Sequence, residues 1–242
     1  MGNLLHVEWY KLVRDKIYWI LLAVIVLVNL LILSGGQQFS LSGYSFLKTI
    51  MQKEIITIML ASIYGGLFVG RDFENCTLYH EITAGRSRIQ VLLAKTIVFL
   101  LALNGLILIF PILGIICCIL KNGWGIPFTT EMGFYLLFVF IALVLLSCAI
   151  GMISMLAAVC FQDVGRTIGI PIILFFIMIM LLNSKYAIQF AHFLPIGMMV
   201  LVANGTTHPV YGVLLGSAWS VVLFMISTLV FRRAELRGGG EK

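Results

Sequence analysis

The densest run of charged side chains lies between residues 70 and 88. Its charges alternate with Phe73, Leu78, Tyr79 and Ile82, a pattern typical of a short amphipathic helix that docks on a protein surface, and Gly85 suits the end of that helix. A solvated loop that carries basic residues is the alternative interpretation, because charged loops are common. The residue types in this segment are therefore suited to binding a partner protein rather than to catalysis.

Other reactive residue types lack the spacing of a catalytic or metal site. No Gly-x-x-x-x-Gly-Lys-Ser/Thr phosphate loop occurs, so any use of ATP falls to a partner. Four of the five cysteines lie in apolar runs, where Cys behaves as a small hydrophobe, and the four histidines form no i, i+4 pair. We therefore expect no catalytic residue, no metal site and no cofactor bound by this chain itself.

Composition indicates that these residues are carried by membrane helices. Of the 242 residues, 61% are hydrophobic and 11% are charged, and the mean hydropathy is +1.09. Soluble domains carry roughly a quarter charged residues, so soluble enzymes, nucleic-acid-binding proteins and disordered tails are excluded. The net charge of +6 is better explained by basic cytoplasmic loops than by a nucleic acid partner.

Charge-free windows predict an all-α, polytopic fold formed by a single transmembrane domain over residues 1–242. The six predicted spans are residues 17–33, 46–70, 91–120, 134–160, 167–183 and 211–231. Lys48, Lys53 and Glu54 lie in the early turns of the second span, where long side chains can reach the interface. Residues 188–202 are too short to cross before the polar break that follows, so we interpret them as a re-entrant segment.

The first 16 residues predict a helix that lies along the membrane surface. Its apolar face consists of Leu5, Trp9, Leu12 and Val13, and its polar residues are Glu8, Lys11, Asp15 and Lys16. The first apolar run is longer than the core of a cleavable signal, so we expect it to be retained.

The distribution of basic residues predicts the orientation. With six spans, 12 of the 16 Lys and Arg residues lie on the side that holds both termini and the 71–88 loop. By the positive-inside rule this side is cytoplasmic, and the plasma membrane is the expected location.

Few polar side chains lie inside the predicted spans. No Asp or Glu falls in the apolar parts of the first, third, fourth, fifth and sixth spans, which disfavours a proton-coupled carrier. Asn29, Asn104, Ser147 and Ser154 are candidates for a substrate path, although hydrogen bonds that hold helices together are the more common role. Three small-xxx-small pairs predict close helix packing, namely Gly66/Gly70, Gly165/Gly169 and Gly212/Gly216.

The 70–88 segment resembles the loop between the second and third helices of type-2 ATP-binding-cassette (ABC) permeases. The matching positions are Asp72, Glu74, Thr77, Ile82, Thr83, Gly85, Ser87, Arg88 and Lys95. The resemblance implies that residues 71–88 contain a coupling helix seated in a groove of a separate ATPase subunit, which binds ATP and Mg. The implied contact residues are Arg71, Asp72, Phe73, Glu74, Thr77, Leu78, Glu81, Ile82, Gly85, Ser87 and Arg88.

The resemblance also implies an assembly of two permease and two ATPase chains, with either a second copy or a sister permease. Small permeases of this kind resemble exporters of antimicrobial peptides, bacteriocins and peptide toxins, or proteins that give immunity to them. Efflux of a small drug or ion is the alternative within the family. An ATP-independent channel or carrier, and a membrane scaffold or sensor, are the alternatives from other classes.

Overall fold

A computed structural model describes residues 2–34, 42–43, 45–46, 60–61, 63–125, 129–182 and 187–233. Every regular element in these residues is helical, which confirms the predicted all-α class. In chain order the elements are α1 (Gly2–Arg14), α2 (Lys16–Ser34), a π-helical turn (Gly66–Gly70), α3 (Arg71–Glu74), α4 (Thr77–Thr83), α5 (Arg88–Asn122), α6 (Thr130–Phe161), α7 (Val164–Leu182), α8 (Ala187–Ala191), α9 (Pro195–Ala203) and α10 (Pro209–Arg233).

Four of these helices, α5, α6, α7 and α10, are long and apolar enough to cross a membrane. They contain most of the predicted spans 91–120, 134–160, 167–183 and 211–231, and each begins two to four residues earlier. The earlier starts of α5 and α6 have a local cause, since Ser87 and Thr129 cap them by accepting hydrogen bonds from the backbone N–H of Gln90 and Met132, each at 3.4 Å.

The remaining predicted segments differ in how far they can be compared. Helix α2 matches the first span, but its apolar stretch, Lys16–Leu31, is shorter than the other four. The second span coincides with described residues only at position 46, at 60–61 and from 63 to 70, so Lys48, Lys53 and Glu54 lie outside the described residues. Residues 188–202 coincide with α8 and α9, two helices too short to cross a bilayer.

Helix α6 forms the packing centre of the described fold. It contacts α5, α7, α9 and the π-helical turn, and its contact with α10 is the most extensive. Gly216 of α10 makes this approach possible, because a Cβ there would lie 2.8 Å from the carbonyl carbon of Leu145. Gly66 and Gly70 similarly bring the π-helical turn against α7. A Cβ at Gly169, in contrast, would meet no described neighbour within 4 Å.

This difference predicts that Gly216→Ala destabilises the permease while Gly169→Ala does not. The added methyl group at position 216 meets backbone, which cannot rotate away, so we expect a loss of about 1–3 kcal/mol from overpacking. At position 169 the same change removes a helix glycine at no steric cost and leaves stability equal or higher. Thermal unfolding of both variants in detergent measures this, and equal midpoints would contradict the packing argument.

Candidate functional site

The amphipathic segment folds as two short helices joined by a sharp turn. Between α3 and α4, Cys76 adopts the left-handed conformation with a φ of 54°. Helix α4 ends at Thr83, and Gly85 follows with a φ of +89°, a conformation that glycine adopts without steric cost. The predicted helix and its glycine stop are therefore both present in the fold.

The apolar residues of this segment pack against the chain itself. Leu78 is 1% exposed, and Phe73 is buried with its ring edge-on to Phe231, at 5.9 Å between ring centres. Ile82, one helical turn after Leu78, is half-buried against the same core. The resemblance implies that these three residues contact a partner, but in the structure Phe73 anchors α3, and Leu78 and Ile82 anchor α4, to the rest of the chain.

The opposite side of α4 faces outward. Tyr79, His80 and Thr83 are exposed, and we call these three residues the outer face of α4. Tyr79 is 39% exposed and contributes the largest apolar surface of the three. Of the implied contacts that do not belong to this outer face, Arg71 on α3 is exposed and Thr77 at the start of α4 is half-buried.

Lys95, two helical turns into α5, lies at the centre of a buried ion-pair cluster. Its side chain is fully buried, and its Nζ lies 2.9 Å from Glu8 Oε2 and also pairs with Asp72 Oδ2. The same ammonium group lies 5.4 Å from the centre of the Phe68 ring, within range of a cation–π interaction. A charge at this depth is stable only because carboxylates from two other helices neutralise it.

Lys11 connects this cluster to α4. Its Nζ lies 2.6 Å from Glu8 Oε1 and 2.9 Å from Glu81 Oε1. Because Glu8 and Lys11 belong to α1 and Glu81 belongs to α4, these ion pairs fix the N-terminal helix against the amphipathic helix. We call the residues Glu8, Lys11, Asp72, Glu81 and Lys95 the charge network; it joins α1, α3, α4 and α5.

A second polar link connects the α1–α2 junction to the segment before the π-helical turn. Tyr64 is fully buried and donates its hydroxyl to Asp15 Oδ2 at 3.1 Å. The other oxygen of Asp15 accepts from the backbone N–H of Ile17 at 3.0 Å, at the start of α2. Asp15 therefore caps α2 and also fixes the angle of α2 relative to the segment that contains Tyr64.

The charge network shifts the pKa values of its members in α1. Burial of Glu8 favours its neutral form, but the ammonium groups of Lys95 and Lys11 outweigh this effect and lower the pKa of Glu8 below its ordinary value of 4.5. Burial likewise opposes the charge on Lys11, but its hydrogen bond to Glu8 and the nearby carboxylates raise the pKa of Lys11 above 10.5. Both groups are therefore charged near neutral pH.

These directions predict an acid-sensitive attachment of α1. Since the folded pKa of Glu8 is depressed, its contribution to stability is complete above about pH 4.5 and is lost as the pH falls through the depressed value. Lys11 has a raised pKa, so its contribution is complete below pH 10.5 and is lost only at still higher pH. Thermal unfolding should show the wild type more stable than Glu8→Gln at pH 7, with the difference shrinking below pH 4.5. If the difference in unfolding temperature between the wild type and Glu8→Gln did not change with pH, the ion pairs of Glu8 would not contribute to stability as argued.

Two further residues of the implied set bind the ends of neighbouring helices. Glu74 Oε1 accepts from the backbone N–H of Val164, the first residue of α7, at 3.0 Å. Arg88 donates to the carbonyl oxygens of Phe231 and Arg232 near the end of α10, each at 3.2 Å. A carboxylate at a helix N-terminus and a guanidinium at a helix C-terminus both complement the helix dipole.

The four polar residues considered for a substrate path occupy different settings. Asn104 and Ser147 lie together between α5 and α6, where the Ser147 hydroxyl donates to Asn104 Oδ1 and the Asn104 amide approaches Cys148 Sγ at 3.2 Å. Asn29 donates to the Ile25 carbonyl within α2 at 3.0 Å. Ser154 is buried on α6, two helical turns beyond Ser147. Their proposed role in transport stays a prediction.

Glu8 is the site residue that sequence reasoning misplaced. The sequence pattern places Glu8 off the apolar face of Leu5, Trp9, Leu12 and Val13, whereas the structure buries Glu8 with Leu4 and Leu12 and leaves Trp9 and Val13 about half exposed. Leu4, Glu8 and Leu12 recur every four residues, so a carboxylate in the middle of an apolar stripe was visible in the sequence. Its partner Lys95 lies 87 positions away, and only the fold brings the two together.

Comparison with known proteins identifies a family for most of the chain. The family model described as ABC-2 family transporter protein matches residues 4–183, which is more than half of the chain and includes the whole charge network. No curated protein matches the chain. Proteins of this family form the membrane component of ABC transporters and normally work with an ABC ATPase. The chain therefore belongs to the ABC-2 family of transporter proteins.

Proposed function

We propose that this permease is the transmembrane subunit of an ATP-driven exporter that moves an amphipathic peptide, or a similar hydrophobic compound, across or out of the membrane. The observation that supports the proposal best is the construction of α4. Its inner face is packed on membrane helices, its Glu81 is held by Lys11, and its outer face remains exposed for a second protein. A helix fixed on one face and exposed on the other can transmit a displacement from a bound soluble protein to the membrane helices.

The partner that we propose for this face is a soluble ABC ATPase, which binds ATP and Mg and carries the catalytic residues. Closure of the ATPase would press on the outer face of α4. The charge network would pass that displacement to α1 and α5, because its ion pairs hold parts of four helices. The permease contributes no step of ATP hydrolysis in this scheme.

We propose a six-span topology for this chain. The spans would be α2, the segment that ends in the π-helical turn, α5, α6, α7 and α10, with α8 and α9 forming a re-entrant segment. Both termini and α4 would lie on the cytoplasmic side of the plasma membrane, as the excess of basic residues there favours. A second copy of the chain or a sister permease would complete the pathway.

The scarcity of polar groups within the membrane helices favours an amphipathic substrate. The described residues Asn104 and Ser147 satisfy one another, so a path along these helices would offer mainly apolar contacts. Peptides with an apolar face lose little hydration on entering such a path, whereas strongly polar solutes lose much more. Antimicrobial peptides, bacteriocins and peptide toxins are the classes that we propose first.

Purification from membranes in mild detergent tests the central proposal. We expect a soluble ATPase to copurify with the permease, and we expect an amphipathic peptide to stimulate ATP hydrolysis by the complex. A permease that transports in the absence of any ATPase would contradict the proposal and favour a channel or carrier. Partner binding without peptide-stimulated hydrolysis would indicate a scaffold or sensor, and stimulation by small drugs alone would indicate drug efflux.

A further inference from the structure

A groove of about 540 Å³ runs between α5 and α10 on the outside of the described fold. One wall consists of Ile89, Leu93 and Leu100 on a single face of α5, and the other includes Val221 and Met225 of α10. The volume falls within the range of about 300–1,000 Å³ that is common for small-molecule sites. The lining is almost entirely apolar, so the occupant must be apolar over most of its length.

The groove has the length of one bilayer leaflet. Along α5 it extends from Ile89 to Leu100, and along α10 from Ser220 to Arg232, which at 1.5 Å per residue corresponds to about 17–18 Å. Half of a hydrocarbon core about 30 Å thick is about 15 Å. Arg88 ties the ends of α5 and α10 together by donating to the Arg232 carbonyl at 3.2 Å, so the groove is fixed at this end.

The only charged residue that lines the groove in the described part of the chain is Arg232, at the same end. Its side chain is exposed, and no described carboxylate pairs with it. With α5 and α10 as the spans proposed above, the groove combines a cation at the level of lipid head groups with an apolar channel that reaches the depth of the acyl chain ends. Basic pockets between transmembrane helices on the cytoplasmic side bind anionic head groups for this electrostatic reason.

We infer that this groove binds one anionic phospholipid, with its phosphate on Arg232 and an acyl chain between α5 and α10. Assignment of the lipid to the cytoplasmic leaflet rests on the proposed orientation, but the binding itself does not require an ATPase. The deep end of the groove contains Ser220, whose buried Oγ has no hydrogen-bond partner among the described residues. An acyl chain has no group that can hydrogen-bond to this hydroxyl, whereas a peptide or a second permease carries backbone and side-chain groups that can.

Native mass spectrometry of the purified permease, equilibrated with mixed micelles of phosphatidylglycerol and phosphatidylcholine, tests this inference. We expect the wild type to retain one phosphatidylglycerol and Arg232→Gln to retain about tenfold less, as the loss of one charge-assisted contact implies. Arg233→Gln is the matched control, because Arg233 is an adjacent exposed arginine that does not line the groove. It should retain lipid like the wild type.

Two further variants test whether the lipid occupies the interior of the groove. Val221→Trp fills the channel and should abolish retention, while Ser220→Ala should leave retention unchanged because an acyl chain makes no hydrogen bond there. Thermal unfolding of each variant confirms that it is folded. Equal losses in Arg232→Gln and Arg233→Gln, or full retention in Val221→Trp, would overturn the site. Loss in Ser220→Ala, or a crosslink from position 221 to a second permease, would assign the groove to another occupant.

Discussion

Replacement of Lys95 by Met should produce the largest loss of stability of any single change in the charge network. Lys95 is fully buried, and its Nζ pairs with both Glu8 and Asp72. Met fills a similar volume but removes the charge, so Asp72 loses its ion pair and Glu8 keeps only Lys11. Removing one partner of a buried ion pair costs about 3–5 kcal/mol. We therefore expect low membrane levels, a lower unfolding temperature and loss of ATPase-coupled transport.

Lys121→Met provides the control, because Lys121 is an exposed lysine at the other end of the same helix. It should behave like the wild type. Adding Glu8→Gln and Asp72→Asn to Lys95→Met removes the uncompensated carboxylates and should recover most of the lost stability, because a neutral buried cluster avoids the cost of desolvating charge. Wild-type stability in Lys95→Met alone would show that the network is not a structural element.

Tyr79→Ala should weaken ATPase binding about 30-fold without destabilising the permease. Tyr79 is the largest side chain on the outer face of α4, and aromatic residues at the centre of an interface commonly contribute 2 kcal/mol or more. Its side chain does not belong to the buried core, so the unfolding temperature should not change. Affinity of the purified permease for its ATPase, together with peptide-stimulated ATP hydrolysis, measures the effect.

Tyr211→Ala is the matched substitution at a distant site, since Tyr211 is an exposed tyrosine near the start of α10. It should leave ATPase affinity unchanged. Leu78→Ala gives a second comparison, because the buried Leu78 anchors α4 to the chain itself and its truncation should lower stability together with binding. If Tyr79→Ala and Tyr211→Ala both bind the ATPase as the wild type does, the outer face of α4 is not the docking surface.

Much of the helical framework was predictable because it depends on local sequence. Charge-free windows coincide with α5, α6, α7 and α10, and residues such as Ser87 and Gly85 mark where helices begin and end. The amphipathic pattern of the 71–88 loop correctly predicted a helix at α4. The direction in which that helix faces was not predictable, because its apolar residues suit either a partner or the chain itself. In the structure Phe73 and Leu78 pack on the chain.

The charge network was beyond prediction for a different reason. Glu8 lies in line with Leu4 and Leu12 on α1, but an isolated carboxylate is rarely buried, so this stripe alone does not predict its burial. Its burial depends on Lys95 and on Lys11, and the Lys95 partner is distant in sequence. The pairing of Asn104 with Ser147 is similar, because two polar residues on separate spans give no sign that they face each other until the helices are packed.

The two helix-end contacts made by Glu74 and Arg88 have an evolutionary consequence. Both side chains bind main-chain atoms, the N–H of Val164 and the carbonyl oxygens of Phe231 and Arg232. Every amino acid supplies a backbone carbonyl, and every residue except proline supplies an N–H. The residues of α7 and α10 can therefore change while Glu74 and Arg88 keep the same backbone contacts with both helices. Under the proposed function, such a permease can acquire a new substrate without any change in the contacts between its coupling loop and its membrane helices.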